Sequence, residues 1–231
     1  MKSIKKIILG TVSCFSLLTF IQANAQIIIS EVDPTGSATS TYAADWFELT
    51  NTGTSAVSIA GWKMDDNSDS FGSAVSLNGV SSIAAGQSVV FIESTGSTAA
   101  TVETNFKSAW FGSSVPSGFT IGDYSGSGVG LSSTADEVNI FNASGAKIAG
   151  VGFGISTSGK SFDNSAGLNS TGSTDVIIST LSVAGTHGAF TSPTGEVGSP
   201  GAVPEPSTYA LMLGGFFVLL GFQVLRRHKI A

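Results

Sequence analysis

Two short runs place carboxylates close enough to work as a pair: Glu31 and Asp33 in Ser30-Glu31-Val32-Asp33, and Asp45 and Glu48 in Asp45-Trp46-Phe47-Glu48. Paired carboxylates are what glycoside hydrolysis needs, one as acid and the other as base or nucleophile. Spacing alone leaves that chemistry open, but both runs lie in strand-like patterns, so their acids are expected to belong to the fold. Acyl transfer lacks its parts. No Gly-x-Ser-x-Gly occurs, the only cysteine is Cys14, and the only histidine between residues 26 and 203 is His187, in the loop-like Ala184-Gly185-Thr186-His187-Gly188. Glycines 126, 128 and 130, and again 150, 152 and 154, have the wrong spacing for a dinucleotide fingerprint and read as turn or bulge positions. The expectation is a protein that is not an enzyme and carries no cofactor, with a hydrolase as the distant alternative.

The remaining polar cluster is Asp65-Asp66-Asn67-Ser68-Asp69, in which Asp65, Asn67 and Asp69 alternate and could turn oxygens toward one cation. Calcium is the ion such oxygens would take, but it wants about six to eight ligands, and the run lacks the glycine and distal glutamate of an EF-hand loop. A solvated loop without metal is the expectation, with a calcium- or carbohydrate-binding module as the alternative. Nucleic acid is excluded as a partner by charge. Between Glu31 and Glu205 lie all sixteen acids against only Lys63, Lys107, Lys147 and Lys160, a net −12 with no arginine, whereas phosphate binding needs clustered cations. A lone cysteine also leaves no disulfide or zinc-thiolate framework.

The other six basic residues stand at the two ends, where they mark addresses. Lys2, Lys5 and Lys6 precede an apolar run over 7–21 and the small-x-small site Ala23-Asn24-Ala25, the pattern of a secretory signal peptide over residues 1–25 cut by a signal peptidase. The mature chain would begin at Gln26. At the other end, residues 209–225 are apolar apart from Gln223 and are followed by Arg226-Arg227-His228-Lys229, as in a short transmembrane helix with a basic cytoplasmic tail over 226–231. Before the helix stands Pro204-Glu205-Pro206, within a linker over 202–208, and its prolines keep the chain extended and open to a processing enzyme.

Pro204, Glu205 and Pro206, the single apolar segment and Arg226-Arg227 together resemble the PEP-CTERM sorting signal of Gram-negative bacteria. The resemblance implies an exosortase, a membrane cysteine protease, as the enzyme that cleaves near the motif. It also implies transient anchoring in the inner membrane, then release to the cell surface or its polymer matrix.

These ends bracket the segment that must fold. The 29 glycines, 37 serines and 22 threonines of the whole chain argue for many turns and short strands. Strands are expected over 27–32, 46–50, 57–59, 62–64, 75–77, 88–92, 137–141 and 147–151, paired antiparallel, with a hairpin at Asn142-Ala143-Ser144-Gly145. Val102, Phe106 and Trp110 recur at intervals of four, so 99–110 reads as a short helical cross-connection outside the core. Alternation on 46–50 sets Phe47 and Leu49 on a buried face, with Trp46, Glu48 and Thr50 on a solvated or edge-covered one. Trp62 has the size to fill the space between sheets.

The opening strands carry a second resemblance. Ile28-Ile29-Ser30-Glu31-Val32, Asp45-Trp46-Phe47-Glu48-Leu49-Thr50-Asn51 and Gly61-Trp62-Lys63-Met64 are similar to the first strands of the lamin-tail domain family. Ala85-Gly86-Gln87-Ser88-Val89-Val90-Phe91, Asp136-Glu137-Val138-Asn139-Ile140-Phe141 and the closing Ser199-Pro200-Gly201 continue the likeness in order. The resemblance implies an all-β, immunoglobulin-like sandwich over residues 26–201. The expected function is structural or adhesive at the cell surface or in the extracellular matrix, with polysaccharide or other matrix proteins as partners.

Overall fold

The computed structural model describes residues 27–36, 40–95, 97–172 and 176–202. The signal-peptide residues Ala23 and Ala25, the Pro204-Glu205-Pro206 motif, the apolar run 209–225 and Arg226-Arg227 lie outside the described residues. Among the described residues no helix is long and apolar enough to cross a membrane.

Short runs of β-branched and aromatic residues between glycine and serine turns produce two five-stranded sheets. The first has the order β11 (Phe162–Asp163), β1 (Ile27–Asp33), β2 (Trp46–Asn51), β7 (Ser88–Glu93), β8 (Ile121–Tyr124). The second runs β12 (Ile177–Ile178), β10 (Lys147–Phe153), β9 (Asp136–Phe141), β4 (Lys63–Asp65), β5 (Val75–Ser76). Two ribbons, β3 (Val57–Ser58) with β6 (Ser82–Ile83) and β13 (Phe190–Thr191) with β14 (Val197–Gly198), complete it. The sheets pack face to face over one apolar core that includes Ile29, Phe47, Leu49, Met64, Phe91, Ile140, Val151 and Trp62. Trp62 fills that space as its size suggests.

Each expected strand is present, with ends shifted by one or two residues. Four further short strands lie beyond residue 160, where β-branched runs are too brief to read. The pairing is not all antiparallel. β8 runs parallel to β7, and β12 parallel to β10. A parallel neighbour needs a long crossover, and the helix Ala99–Phe111 supplies it between β7 and β8.

That helix is the cross-connection against the sandwich that its spacing predicts, but it also builds a core of its own. Val102, Phe106, Ala109 and Trp110 are buried and join Trp46, Val90, Ile92 and Tyr42 in a second core on the outer face of the first sheet. The face of β2 expected to be solvated or edge-covered is therefore covered by a full layer. Trp46 is fully buried, and all six residues of β2 and all seven of β1 are buried. An antiparallel strand can keep a wet face only if no further layer packs on it, and here the helix and the end of the domain both do.

A β-bulge decides what lies beneath that layer. The register of β1 on β2 runs Ile29 opposite Leu49, then Glu31 opposite Glu48, with Ser30 as the extra residue. Simple alternation would put Glu31 on the face of Ile27 and Ile29, in the apolar core. The bulge moves it to the outer face beside Glu48 and returns Val32 inward opposite Phe47.

Candidate functional site

Glu31 and Glu48, cross-strand neighbours on the outer face, are both buried, at 0% and 1% exposure. Two buried carboxylates side by side cost several kcal/mol unless hydrogen-bonded and at least partly neutralised, and the chain meets both requirements. Glu31 Oε1 accepts from Ser161 Oγ, from Ser182 Oγ at 3.5 Å and from the Ser199 backbone N–H at 2.7 Å. Its Oε2 accepts from Ser199 Oγ at 2.9 Å. Glu48 Oε1 accepts from Ser30 Oγ at 2.7 Å, and its Oε2 takes the backbone N–H of Gly201. Ser88 Oγ closes the set by donating to the Ala202 carbonyl at 2.8 Å.

Desolvation pushes the Glu31 carboxyl up to about 7, against the hydrogen bonds from Ser161 and Ser199. Desolvation and then the neighbouring Glu31 charge push Glu48 up to about 8. At neutral pH the pair therefore holds a proton, which removes most of the repulsion between the two carboxyls.

The segment these carboxyls hold is built for close approach. A Cβ on Gly198 would stand 2.6 Å from Glu31 Oε1, 2.8 Å from Trp110 Cη2 and 2.9 Å from Ser161 Oγ, so only glycine lets the chain pass. Pro200, buried, has no N–H to satisfy. Gly201 has φ +79, and a Cβ there would meet the Phe119 ring at 2.7 Å. Gly198-Ser199-Pro200-Gly201 is thus a strap whose two backbone donors seat on two glutamates more than 150 residues earlier in the chain.

The remaining sequence candidates scatter. Asp33 Oδ1 takes the Thr35 N–H at 2.9 Å and the Thr35 hydroxyl at 2.7 Å, closing the turn after β1. Asp45 is buried immediately before β2. His187, half-exposed with φ +49, holds Asp163 Oδ2 through Nδ1 at 2.7 Å; Ser165 Oγ also turns to that oxygen, at 3.3 Å.

Asp65, Asn67 and Asp69 do not form one ligand set. Asp65 Oδ2 accepts from Ser68 Oγ at 2.6 Å and the Ser70 N–H at 2.7 Å. The Asn67 N–H goes to Asp136 at 3.2 Å, and Asp69 pairs with the Lys147 ammonium at 3.1 Å. Asp65 Oδ1, Asp69 Oδ1 and Asn139 Oδ1 are buried without a hydrogen-bond partner. The buried Lys147 supplies the positive charge of this corner, and a Cβ on Gly150 would lie within 3 Å of both its Nζ and Asn139 Oδ1. Among the described residues no group of three or more His, Cys, Asp or Glu could hold a metal ion.

The family model described as Lamin Tail Domain matches residues 21–154, more than half of the chain. The chain belongs to the lamin tail domain family. The match spans β1 to β10 and contains both glutamates, while β11, β12 and the strap complete the sandwich beyond its end. The PEP-CTERM protein-sorting motif matches residues 202–227, which marks the chain for export to the envelope or surface of a Gram-negative bacterium through exosortase processing. A comparison with curated proteins finds no match. The sorting match begins at Ala202, the residue whose carbonyl Ser88 holds.

The sequence placed Glu31, Glu48 and Ser199-Pro200-Gly201 in the lamin-tail pattern but did not join them. Nor did it single out Ser88, Ser161 or Ser182 among so many serines. One readable trace of the site was a glutamate at a position where strand alternation calls for an apolar residue.

Proposed function

We propose that this lamin-tail protein is a structural or adhesive component of the bacterial cell surface or extracellular matrix, and not an enzyme. The observation that carries the reading is the junction at Ala202: a closed sandwich ends where the sorting motif begins, so the domain is delivered outside as one folded body. Its buried carboxylate pair supports a non-enzymatic role, because the oxygens of Glu31 and Glu48 are occupied by the chain's own donors. The N-terminal signal peptide directs the chain through the inner membrane, the apolar segment 209–225 holds it there, and the exosortase releases it. Matrix polysaccharide or other matrix proteins are its partners on the outside.

Fractionation of a native host tests this. The mature protein should be found at the surface or in the matrix with its N-terminus at Gln26 and without residues 226–231. Deleting the exosortase, or changing Glu205→Ala, should hold it in the inner membrane. Intact Arg226 and Arg227 in the extracellular fraction overturns the sorting role, and a matrix unchanged in mass and cohesion after deletion of this protein overturns the structural one.

A further inference from the structure

The clasp has a consequence for processing, and it rests on the exosortase reading above. A protease takes an extended stretch of chain into its cleft and pairs with that chain's free backbone groups, as an added strand does. Residues 199–202 have most of theirs already spent, the Ala202 N–H on the Ser199 carbonyl at 2.8 Å among them. The N–H groups of Ser199 and Gly201 are spent on Glu31 and Glu48, Pro200 has none, and the Ala202 carbonyl is held by Ser88. Only Val203 separates this occupied stretch from Pro204.

We infer that Glu31, Glu48 and Ser88 are positioning residues for maturation: by clasping residues 199–202 they set the inner limit of processing, so that the cut falls beyond Ala202 and the released domain keeps its strap. The chemistry is that of any thiol protease. One peptide bond breaks, the enzyme's thiol takes the acyl end, the amine leaves with the C-terminal segment and picks up the proton, and water then frees the thiol. The clasp decides only which bonds can reach that thiol. A cut upstream of Gly201 would strip Glu48 of a backbone donor and leave a buried carboxyl short of a partner, which opens the outer layer of the sheet.

The test uses the full chain in its host, with Ser88→Ala and Glu48→Gln as variants. Ser88→Ala removes one hydrogen bond to the strap and leaves the apolar cores untouched; Glu48→Gln preserves shape. The C-termini of the released protein are read by mass spectrometry, with and without the exosortase. In parallel, the purified full chain in detergent is cut with a broad-specificity serine protease.

Wild type should show C-termini only at or beyond Val203, and each variant should show about tenfold more product ending within 196–202, because losing a hydrogen bond raises the population of the open strap by about that factor. The detergent digest should show the same displacement of first cuts. Wild-type ends within 199–202, or variant ends identical to wild type in both assays, overturn the clasp and leave the exosortase reading standing. Release that persists without the exosortase overturns that reading, and the detergent digest still decides the clasp.

Discussion

At its first residue the outer face of β2 is covered by rings. Trp46 meets Phe106 and Trp110 edge-on, with centroids 5.6 and 5.7 Å apart, and its indole N–H donates to the Tyr42 hydroxyl at 3.1 Å. Two residues later the same face carries Glu48 and is covered by a strap of glycine, serine and proline. The first cover is held by area and shape, is indifferent to proton concentration and tolerates small shifts. The second is held by directed bonds to two buried carboxyls whose titration is pushed up into the neutral range, so it depends on single atoms and on pH. The two covers touch at Gly198, which lies against both Trp110 and Glu31, and at Glu196, which accepts from the Tyr42 hydroxyl at 2.9 Å. One strand can thus be sealed by two kinds of chemistry in neighbouring stretches, with the polar kind reserved for the stretch next to the processing segment.

The largest loss is expected at the aromatic end. Trp46→Ala should cost about 3 to 5 kcal/mol in denaturant unfolding, the loss expected when a buried indole leaves a cavity. Trp62→Ala in the core between the sheets should cost a similar amount. A loss below about 1 kcal/mol for Trp46 would show that the helix layer contributes little to the fold.

Gly198→Ala strikes the contact between the covers. Its new Cβ must displace Glu31 Oε1 and the Trp110 ring, and overpacking of this kind costs about 1 to 3 kcal/mol. Gly154→Ala, with open space around it and, like Gly198, no left-handed backbone, serves as the control for adding a methyl group alone. Equal losses in the two would show that the cost at Gly198 does not come from its contacts with Glu31 and Trp110.

Acidity sharpens the contrast. Glu31 and Glu48 have folded values raised to about 7 and about 8 from 4.5. Between pH 4.5 and 8 the folded pair therefore binds more protons than the unfolded chain. Its contribution to stability is fully present below about pH 4.5 and is lost as pH rises through 7 and then 8, with a slope on the order of 1 kcal/mol per pH unit for each extra proton held. Urea midpoints followed from pH 5 to 9 should fall in wild type, fall less in Glu48→Gln, and fall as in wild type in Trp110→Phe. A slope unchanged by Glu48→Gln would place the titration elsewhere.

The smallest effect is expected from added cations. Lys147 already sits at the corner of Asp65, Asp69 and Asn139, and the segment's net −12 gains from screening by any salt. Melting temperatures in calcium chloride, magnesium chloride and sodium chloride of matched ionic strength should agree within about one degree. A calcium-selective rise abolished by Asp65→Ala would show a bound ion at that corner, and would give the two regions a third, metal-held neighbour.

What the sequence determined by itself was local or periodic. Runs of β-branched and aromatic residues such as Val89-Val90-Phe91 commit the chain to strands whatever they pair with, the spacing of Val102, Phe106 and Trp110 commits 99–110 to a helix, and the proline, apolar and arginine order of the tail matches a sorting motif as a string. Tertiary structure decided the rest, for physical reasons visible at single residues. Whether Trp46 faces water depends on a helix packed from outside, which no pattern within β2 can report. Which way Glu31 points depends on a bulge, and one residue of slip turns a core-facing side chain to the other face. The clasp joins Glu31 to Ser199 and Glu48 to Gly201 across separations of 168 and 153 residues. Such pairs can be seen only when folding has closed those loops, and the raised acidity constants of the glutamates follow from a burial that exists nowhere in the unfolded chain.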